Sequence, residues 1–192
     1  LGYLGYENLI LKPKSEEANN ELFTAQNYFN QALNGSEKSD SLFLLSLSGG
    51  DGKYGFLDII KNYSGTNAAN LSTYSAGMAY YNLNDFENSI DYLQNFNSDD
   101  KVLKSLAVGV IGDSFAELNQ LDDALDAYRS AANLSSNSYT SPKFLLKAGN
   151  IASLLGRKSE ALKYYKRIKD LFPKSPEANL IEVQIGKNST KN

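Results

Sequence analysis

The chain has 192 residues, enough for one domain of ordinary size, and it contains neither cysteine nor histidine. The lack of cysteine excludes disulfides, thiolate chemistry and cysteine-based metal sites. The lack of histidine removes the commonest general base near neutral pH and the commonest zinc ligand. From the composition we expect no catalytic residues, no metal site and no cofactor, and we do not expect an enzyme.

The net charge is only −3, but the charges are unevenly placed along the chain. Residues 1–100 carry 5 basic and 13 acidic side chains, whereas residues 101–192 carry 14 basic and 9 acidic ones. Such an asymmetry can orient a partner, although Lys163, Lys166 and Arg167 can also simply solvate one helix face. Because no nucleic-acid motif accompanies the basic end, we expect no nucleic-acid partner.

Residues 1–14 are predicted to be a tether that follows a membrane helix. The first eleven, LGYLGYENLIL, are almost wholly apolar, but spanning a bilayer takes about 20 residues. They also lack the basic start and the cleavage site of a signal peptide. We interpret them as the end of a longer transmembrane helix, with Lys12-Pro13-Lys14 just beyond the membrane. The alternative is an ordinary N-terminal segment that packs on the first helix.

Residues 15–64 are predicted to form a degenerate first helix pair. A capping serine, early acidic residues and an apolar face predict a helix that begins at Ser15. Serines and glycines then interrupt the helical pattern, so we expect an irregular Gly/Ser-rich insertion before a second helix from Gly55 to Tyr63. A phosphate-binding loop at these glycines is not expected, because Tyr54 replaces the Ser/Thr that would hold magnesium.

From residue 65 onward the chain repeats one pattern. Between Asn70 and Phe96, apolar residues recur at helical spacing, Asn84-Asp85 breaks the run, and a second amphipathic helix follows. The same order of glycine, aromatic, leucine and small residue returns around Gly112, and again around Gly149 with Ala152 at the aromatic position. The three copies predict antiparallel helix pairs at 67–82/85–96, 102–118/121–133 and 142–155/158–171.

Two further features belong to this repeat. We expect Gly77, Gly112 and Gly149 to lie where paired helices touch. Residues 175–192 are predicted to form a capping helix and tail, since the last repeat of a helical array would otherwise expose its apolar face. In this capping helix, which runs from Pro176 to Gly186, the inward residues are Ala178, Ile181 and Ile185 and the outward ones are Glu177, Glu182 and Gln184.

A unit of about 34 residues with this order of residue types resembles the tetratricopeptide repeat (TPR) family. The resemblance covers residues 65–174 with three repeats. It implies an all-α, TPR-like α-solenoid of antiparallel helix pairs, with a degenerate first repeat and a C-terminal capping helix. In this family the first helix of each pair lines a concave groove that holds protein ligands. The positions that match are Tyr74, Met78, Tyr81, Asp113, Glu117, Lys143, Lys147 and Asn150, together with Leu71 and Leu146.

Some members of this family clamp the C-terminal carboxylate of a chaperone peptide with lysines and asparagines. Lys143 and Lys147 match the basic pair of that clamp. However, Tyr74, Met78 and Val110 stand where the other lysine and the asparagines are expected. The resemblance therefore does not extend to the cytosolic co-chaperone function.

Four motifs extend the likeness over nearly the whole chain, from Leu9 to Pro173. They are Lys-Pro-Lys, the helix EExxxxLFxAQNYF, the segment GFLDII after a glycine-rich turn, and Asn-Leu-x-x-Tyr-x-Ala-Gly-x-x-Tyr. Together they resemble membrane-anchored TPR proteins of the ancillary SecYEG translocon subunit type of Bacteroidetes.

That resemblance implies a non-catalytic protein–protein interaction module at the bacterial inner membrane, with its TPR domain facing the periplasm. It would assist the export or folding of secreted proteins at the translocon. The implied partners are translocon components, periplasmic chaperones or exported clients, with no small-molecule substrate. The alternative is a TPR scaffold of an outer-membrane assembly or cell-division complex.

Overall fold

A computed structural model of the chain describes residues 11–35 and 39–189. Over these ranges the backbone forms ten α-helices and one 3-10 helix, and it contains no β-strand, only an isolated bridge between Gly50 and Lys53. The all-helical prediction is therefore confirmed. The chain divides into two compact units, Leu1–Asn97 and Ser98–Asn192.

The first unit contains five of the described helices. They are α1 (Lys12–Asn34), α2 (Asp40–Ser48), α3 (Phe56–Asn62), α4 (Asn67–Asn82) and α5 (Phe86–Asn95). Its core contains Phe43 and Phe56, which are almost fully buried, and the ring of Phe29 meets both of them edge-on at centroid distances of 5.7 and 5.9 Å. Contacts of this geometry, contributed by three helices, join α1, α2 and α3.

Helix α2 corrects the predicted irregular insertion. Phe43 and Leu47 are buried in the core of the first unit, so burial of apolar surface favours an ordered helix here. The serines do not interrupt it. The hydroxyl of Ser46 donates to the carbonyl oxygen of Phe43 at 2.7 Å, and that of Ser48 donates to the carbonyl oxygen of Leu44 at 2.9 Å.

The prediction that the tether extends to residue 14 is wrong, because Lys12, Pro13 and Lys14 belong to α1. Proline is tolerated in the first turn of a helix, where its missing N–H has no partner to lose. The rest of the tether prediction, residues 1–10, lies outside the described residues. None of the helices in the described ranges is both long enough and apolar enough to cross a membrane.

The second unit contains five α-helices and the 3-10 helix within the described part of the chain. They are α6 (Lys101–Glu117), α7 (Leu121–Leu134), α8 (Thr140–Leu154), α9 (Lys158–Leu171), the 3-10 helix Pro176–Asn179 and α10 (Ile181–Ser189). From α6 to α10, each α-helix packs against the next one along the chain. Their shared core includes Leu125, Phe144 and Tyr165, each almost fully buried.

The predicted pairs correspond to α4/α5, α6/α7 and α8/α9, and every helix end agrees to within two residues. Each pair turns at a residue with left-handed backbone: φ is 61° at Asn84, 57° at Asn119 and 75° at Gly156. Asparagine and glycine adopt this conformation at the lowest cost, so these positions end the first helix of each pair.

The capping prediction holds for the side that faces the core. Ile181 is fully buried, and Ala178 and Ile185 pack against the same core. Of the three predicted outward residues, Glu182 is exposed, and its carboxylate accepts a hydrogen bond from Lys169 Nζ at 2.8 Å, whereas Glu177 and Gln184 are half-buried. The single helix predicted from Pro176 to Gly186 is wrong, because a 3-10 helix and a separate α-helix cover these residues.

Glycines hold the paired helices close together, as the sequence predicted. A Cβ atom on Gly77 would come within 2.5 Å of Leu93 Cγ, and one on Gly112 would come within 2.7 Å of the Tyr128 ring. A Cβ atom on Gly149 would collide with the ring of Tyr165. In each pair, a large side chain of the second helix therefore fills the space that the glycine leaves.

Replacement of Gly112 with leucine should overpack the contact between α6 and α7 and lower the free energy of unfolding by roughly 1–3 kcal/mol. The matched control is Gly186→Leu in α10, because nothing lies within 4 Å of a Cβ atom at Gly186. The control corrects for the helix propensity that any side chain gains over glycine, about 0.5–1 kcal/mol. Thermal and denaturant melts measure both variants. Equal stability of the two would contradict the tight contact.

Candidate protein-binding site

The predicted groove residues fall in both units. Tyr74, Met78 and Tyr81 belong to α4 in the first unit. The other five belong to the second unit, Asp113 and Glu117 on α6 and Lys143, Lys147 and Asn150 on α8.

Helix α4 packs through small residues and turns its large apolar residues partly outward. Its buried residues are Ala68, Ala69, Ser72, Thr73, Ala76, Gly77 and Ala79. On another side of the helix, Leu71 is 40% exposed, and Tyr74, Met78 and Tyr81 are half-buried. These four residues follow one another at spacings of three or four and so share one side, which we call the tyrosine face.

Two phenylalanines, one at the start of α5 and one just after its end, support the tyrosine face. The ring of Tyr74 lies 5.1 Å from that of Phe96, and the ring of Tyr81 lies 5.8 Å from that of Phe86, measured between centroids. Burial raises the pKa of Tyr74 above its ordinary value, because the phenolate would lose hydration. Each ring thus has one side in contact with a phenylalanine, and Tyr74 is neutral at physiological pH.

In the second unit, two predicted groove residues bind each other. Lys147 Nζ lies 2.5 Å from Asp113 Oδ1, and the hydroxyl of Tyr128 donates to the same oxygen at 2.6 Å. The ammonium group of Lys147 also lies 5.4 Å from the centre of the Tyr128 ring. Asp113, Tyr128 and Lys147 form a cluster, here called the acid–tyrosine–lysine cluster, that joins α6, α7 and α8.

Asn150 repeats part of this arrangement one repeat later. Its Oδ1 accepts a hydrogen bond from the hydroxyl of Tyr165 at 3.0 Å, and burial raises the pKa of that tyrosine above its ordinary value. In both repeats the tyrosine follows its acceptor by 15 residues. A Gly-Asp or Gly-Asn pair followed by a tyrosine at this spacing can be seen in the sequence, but the groove prediction did not use it.

Phe144 also packs in this part of the second unit, and the sequence analysis did not single it out. Its ring occupies the space beside Gly109, and it stacks on the Tyr128 ring at a centroid distance of 6.4 Å and an angle of 14°. The neighbouring Lys143 is exposed, with Nζ 5.8 Å from the centre of the Phe144 ring. Glu117 is exposed as well.

The described residues contain no group of three or more His, Cys, Asp and Glu side chains that could bind a metal ion.

A pocket lies between the first turns of α1 and α4, lined by Leu11, Lys12, Ser15, Glu16, Asn19, Gly65, Thr66 and Asn67. None of the predicted groove residues lines this pocket.

A family model described as a tetratricopeptide repeat matches residues 74–139 and again residues 110–176. Together the two matches cover more than half of the chain, from within α4 to the start of the 3-10 helix. A search of the curated proteins finds no match to this chain.

The acid–tyrosine–lysine cluster should contribute measurably to stability. Asp113→Ala removes the carboxylate that accepts hydrogen bonds from both the Tyr128 hydroxyl and the Lys147 ammonium, which should cost about 1–3 kcal/mol of unfolding free energy. The matched control is Asp126→Ala, which removes the exposed ion pair with Arg129 and should cost less than about 1 kcal/mol.

Urea melts of both variants, and of Asp113→Ala combined with Lys147→Met, measure these effects. We expect the second change to be less costly in the Asp113→Ala background than alone, because the two residues act together. A loss for Asp113→Ala no greater than that for Asp126→Ala would contradict the structural role of the cluster.

Proposed function

The chain belongs to the tetratricopeptide repeat family, and we propose that it acts as a non-catalytic module that holds segments of other proteins. The observation that carries this proposal is the tyrosine face of α4. It places two tyrosines, a methionine and a leucine in partly exposed positions on one side of a helix.

The tyrosine face suits a partner that lacks fixed structure. Tyrosine rings offer a large contact area with few rotatable bonds, and methionine adapts to irregular shapes. Because Phe96 and Phe86 already hold the rings of Tyr74 and Tyr81, those side chains lose little further freedom on binding. The face carries no charged side chain, so its contribution to affinity should depend little on salt.

In the second unit, Lys143 and Glu117 are the predicted groove residues with exposed charges. Lys147 is held by Asp113, so its replacement would disturb the fold as well as any binding. Lys143→Glu alone is therefore the appropriate probe of charge at this site. Its effect should shrink as salt rises, because salt screens exposed charges.

We expect Tyr74→Ala and Tyr81→Ala each to weaken binding of a permanently unfolded, soluble model protein by about tenfold, the equivalent of about 1.4 kcal/mol. The loss should be similar at low and high salt. The matched control is Tyr139→Ala, because Tyr139 is 71% exposed and lies just before α8, in the other unit of the chain. Fluorescence anisotropy measures the affinities. A similar loss in Tyr139→Ala would show that tyrosines anywhere on the surface suffice.

We further propose that the domain is tethered to the bacterial inner membrane, faces the periplasm and assists exported proteins at the translocon. The support for this proposal is the similarity of the sequence, from Leu9 to Pro173, to translocon-associated TPR proteins. The translocon, periplasmic chaperones and exported clients would then be its partners. A scaffold in outer-membrane assembly or cell division remains the second candidate, and the captured partners distinguish the two.

Photo-crosslinking in cells tests this assignment. A photoreactive residue at Tyr74 or Lys143 should capture translocon components or exported proteins, and the same residue at Lys163 on α9 serves as the control. Protease treatment of spheroplasts should digest the domain if it faces the periplasm. Capture of outer-membrane assembly or division proteins would favour the second candidate. Capture from Lys163 alone would move the binding site to the basic side of α9.

A further inference from the structure

Helix α1 turns a row of asparagines outward. Asn20, Phe23, Asn27, Asn30 and Asn34 are all exposed, and they follow one another at spacings of three or four residues. They therefore share one side of the helix, over a length of about 21 Å. Phe23 is the aromatic member of this row and is 68% exposed. We call these five residues the asparagine row.

The asparagines of this row do not stabilise the fold through side-chain hydrogen bonds. Within the described ranges, none of their four side chains has a hydrogen-bond partner. Elsewhere asparagines support the fold: Asn82 donates to the carbonyl oxygen of Met78 at 2.8 Å, and Asn150 accepts from the hydroxyl of Tyr165. Asparagine is among the weaker helix formers, because its side chain competes for backbone hydrogen bonds. Residues that weaken an element without a compensating contact are expected where a sequence serves a function.

The asparagine row is also uncharged. From Leu22 to Gly35 the sequence contains neither an acidic nor a basic residue. An anionic membrane and a nucleic acid both need clustered cations, which this stretch does not provide. The core of a protein–protein interface is mostly apolar, whereas Phe23 is the one apolar member of the row. The row instead offers amide donors and acceptors beside an aromatic ring.

We infer that the asparagine row binds a linear, neutral polysaccharide. The amide groups donate hydrogen bonds to sugar hydroxyl groups and accept hydrogen bonds from them, and the ring of Phe23 covers the apolar C–H face of one sugar. The uncharged row and the neutral sugar chain match in charge, so no ion loses its hydration on binding. Successive members of the row lie about 5 Å apart along the helix axis, close to the length of one sugar in an extended chain. The inference goes beyond the proposed function, because it concerns another helix and another class of ligand.

Three neutral oligosaccharides test the inference with the whole chain by isothermal titration calorimetry. Cellohexaose and hexa-N-acetylchitohexaose are extended, β-linked chains, whereas maltohexaose joins the same glucose units as cellohexaose in a curled, α-linked chain. We expect both extended probes to bind, maltohexaose to bind more weakly, and salt to leave the affinities unchanged. Absence of binding by both extended probes would overturn the inference, and so would equally tight binding of maltohexaose.

Two variants in the row separate binding from folding. Phe23→Ala should weaken binding of the extended probes about tenfold, because the sugar loses the ring that covers it. Asn27→Ala should weaken binding about threefold through lost hydrogen bonds. Alanine is the better helix former, so Asn27→Ala should melt at no lower temperature than the unchanged chain. A lower melting temperature with unchanged binding would overturn the inference, because the row would then be structural.

Matched controls change similar residues on other elements. Asn95→Ala replaces an exposed asparagine of α5, and Tyr139→Ala removes a ring that is 71% exposed just before α8. Neither change should alter the affinity for the extended probes. Losses equal to those in Asn27→Ala and Phe23→Ala would overturn the inference, because exposed amides and rings anywhere on the surface would then suffice.

Further outcomes separate this inference from the proposed function. Sugar binding that Phe23→Ala weakens and Tyr74→Ala does not would support the inference, whatever the result with unfolded proteins. Binding of an unfolded protein that Phe23→Ala abolishes, without sugar binding, would overturn it in favour of a protein segment. Self-association that Asn27→Ala or Phe23→Ala abolishes, without sugar binding, would identify a second copy of the chain as the occupant and overturn it as well.

Discussion

The second unit depends on a tyrosine ring that lies against a glycine. Tyr128 of α7 fills the space beside Gly112 of α6, and Tyr165 of α9 does the same at Gly149 of α8. A buried hydroxyl needs a hydrogen-bond partner, and in both cases the residue after the glycine supplies it. The glycine and the acceptor are therefore required together: one makes room for the ring, and the other satisfies its hydroxyl.

This constraint changes which residues are available to a partner. Asp113 and Asn150 lie at positions where the family resemblance expects ligand contacts, but both accept hydrogen bonds from buried tyrosines. Lys147 is drawn to Asp113 and covers the Tyr128 ring. A charged residue in a repeat can thus hold the helices together, and replacing it would disturb the fold before it reported on binding. Among the other predicted residues, those of the tyrosine face are partly exposed, and Lys143 and Glu117 are exposed.

The sequence predicted the helix pairs well because their signals are local. The 3.6-residue period marks each helix, and Asn84, Asn119 and Gly156 end the first helix of each pair through left-handed backbone that these residue types tolerate. Helix α2 was missed because SLFLLSLS is apolar at most positions and shows no helical period, and serines normally suggest a loop. The ion pair between Asp113 and Lys147 joins residues 34 apart, so it depends on tertiary packing that no local pattern reveals.

Helix α10 covers the core of the last repeat, but its own exposed surface is only partly polar. Ile181 covers the core of the last repeat, which is all that closing the array requires. On the side towards α9, Glu182 provides the polar surface expected of an end that faces water. Leu180 and Val183 instead expose apolar side chains to water. Burying apolar surface would lower the free energy by about 25 cal/mol for each Å².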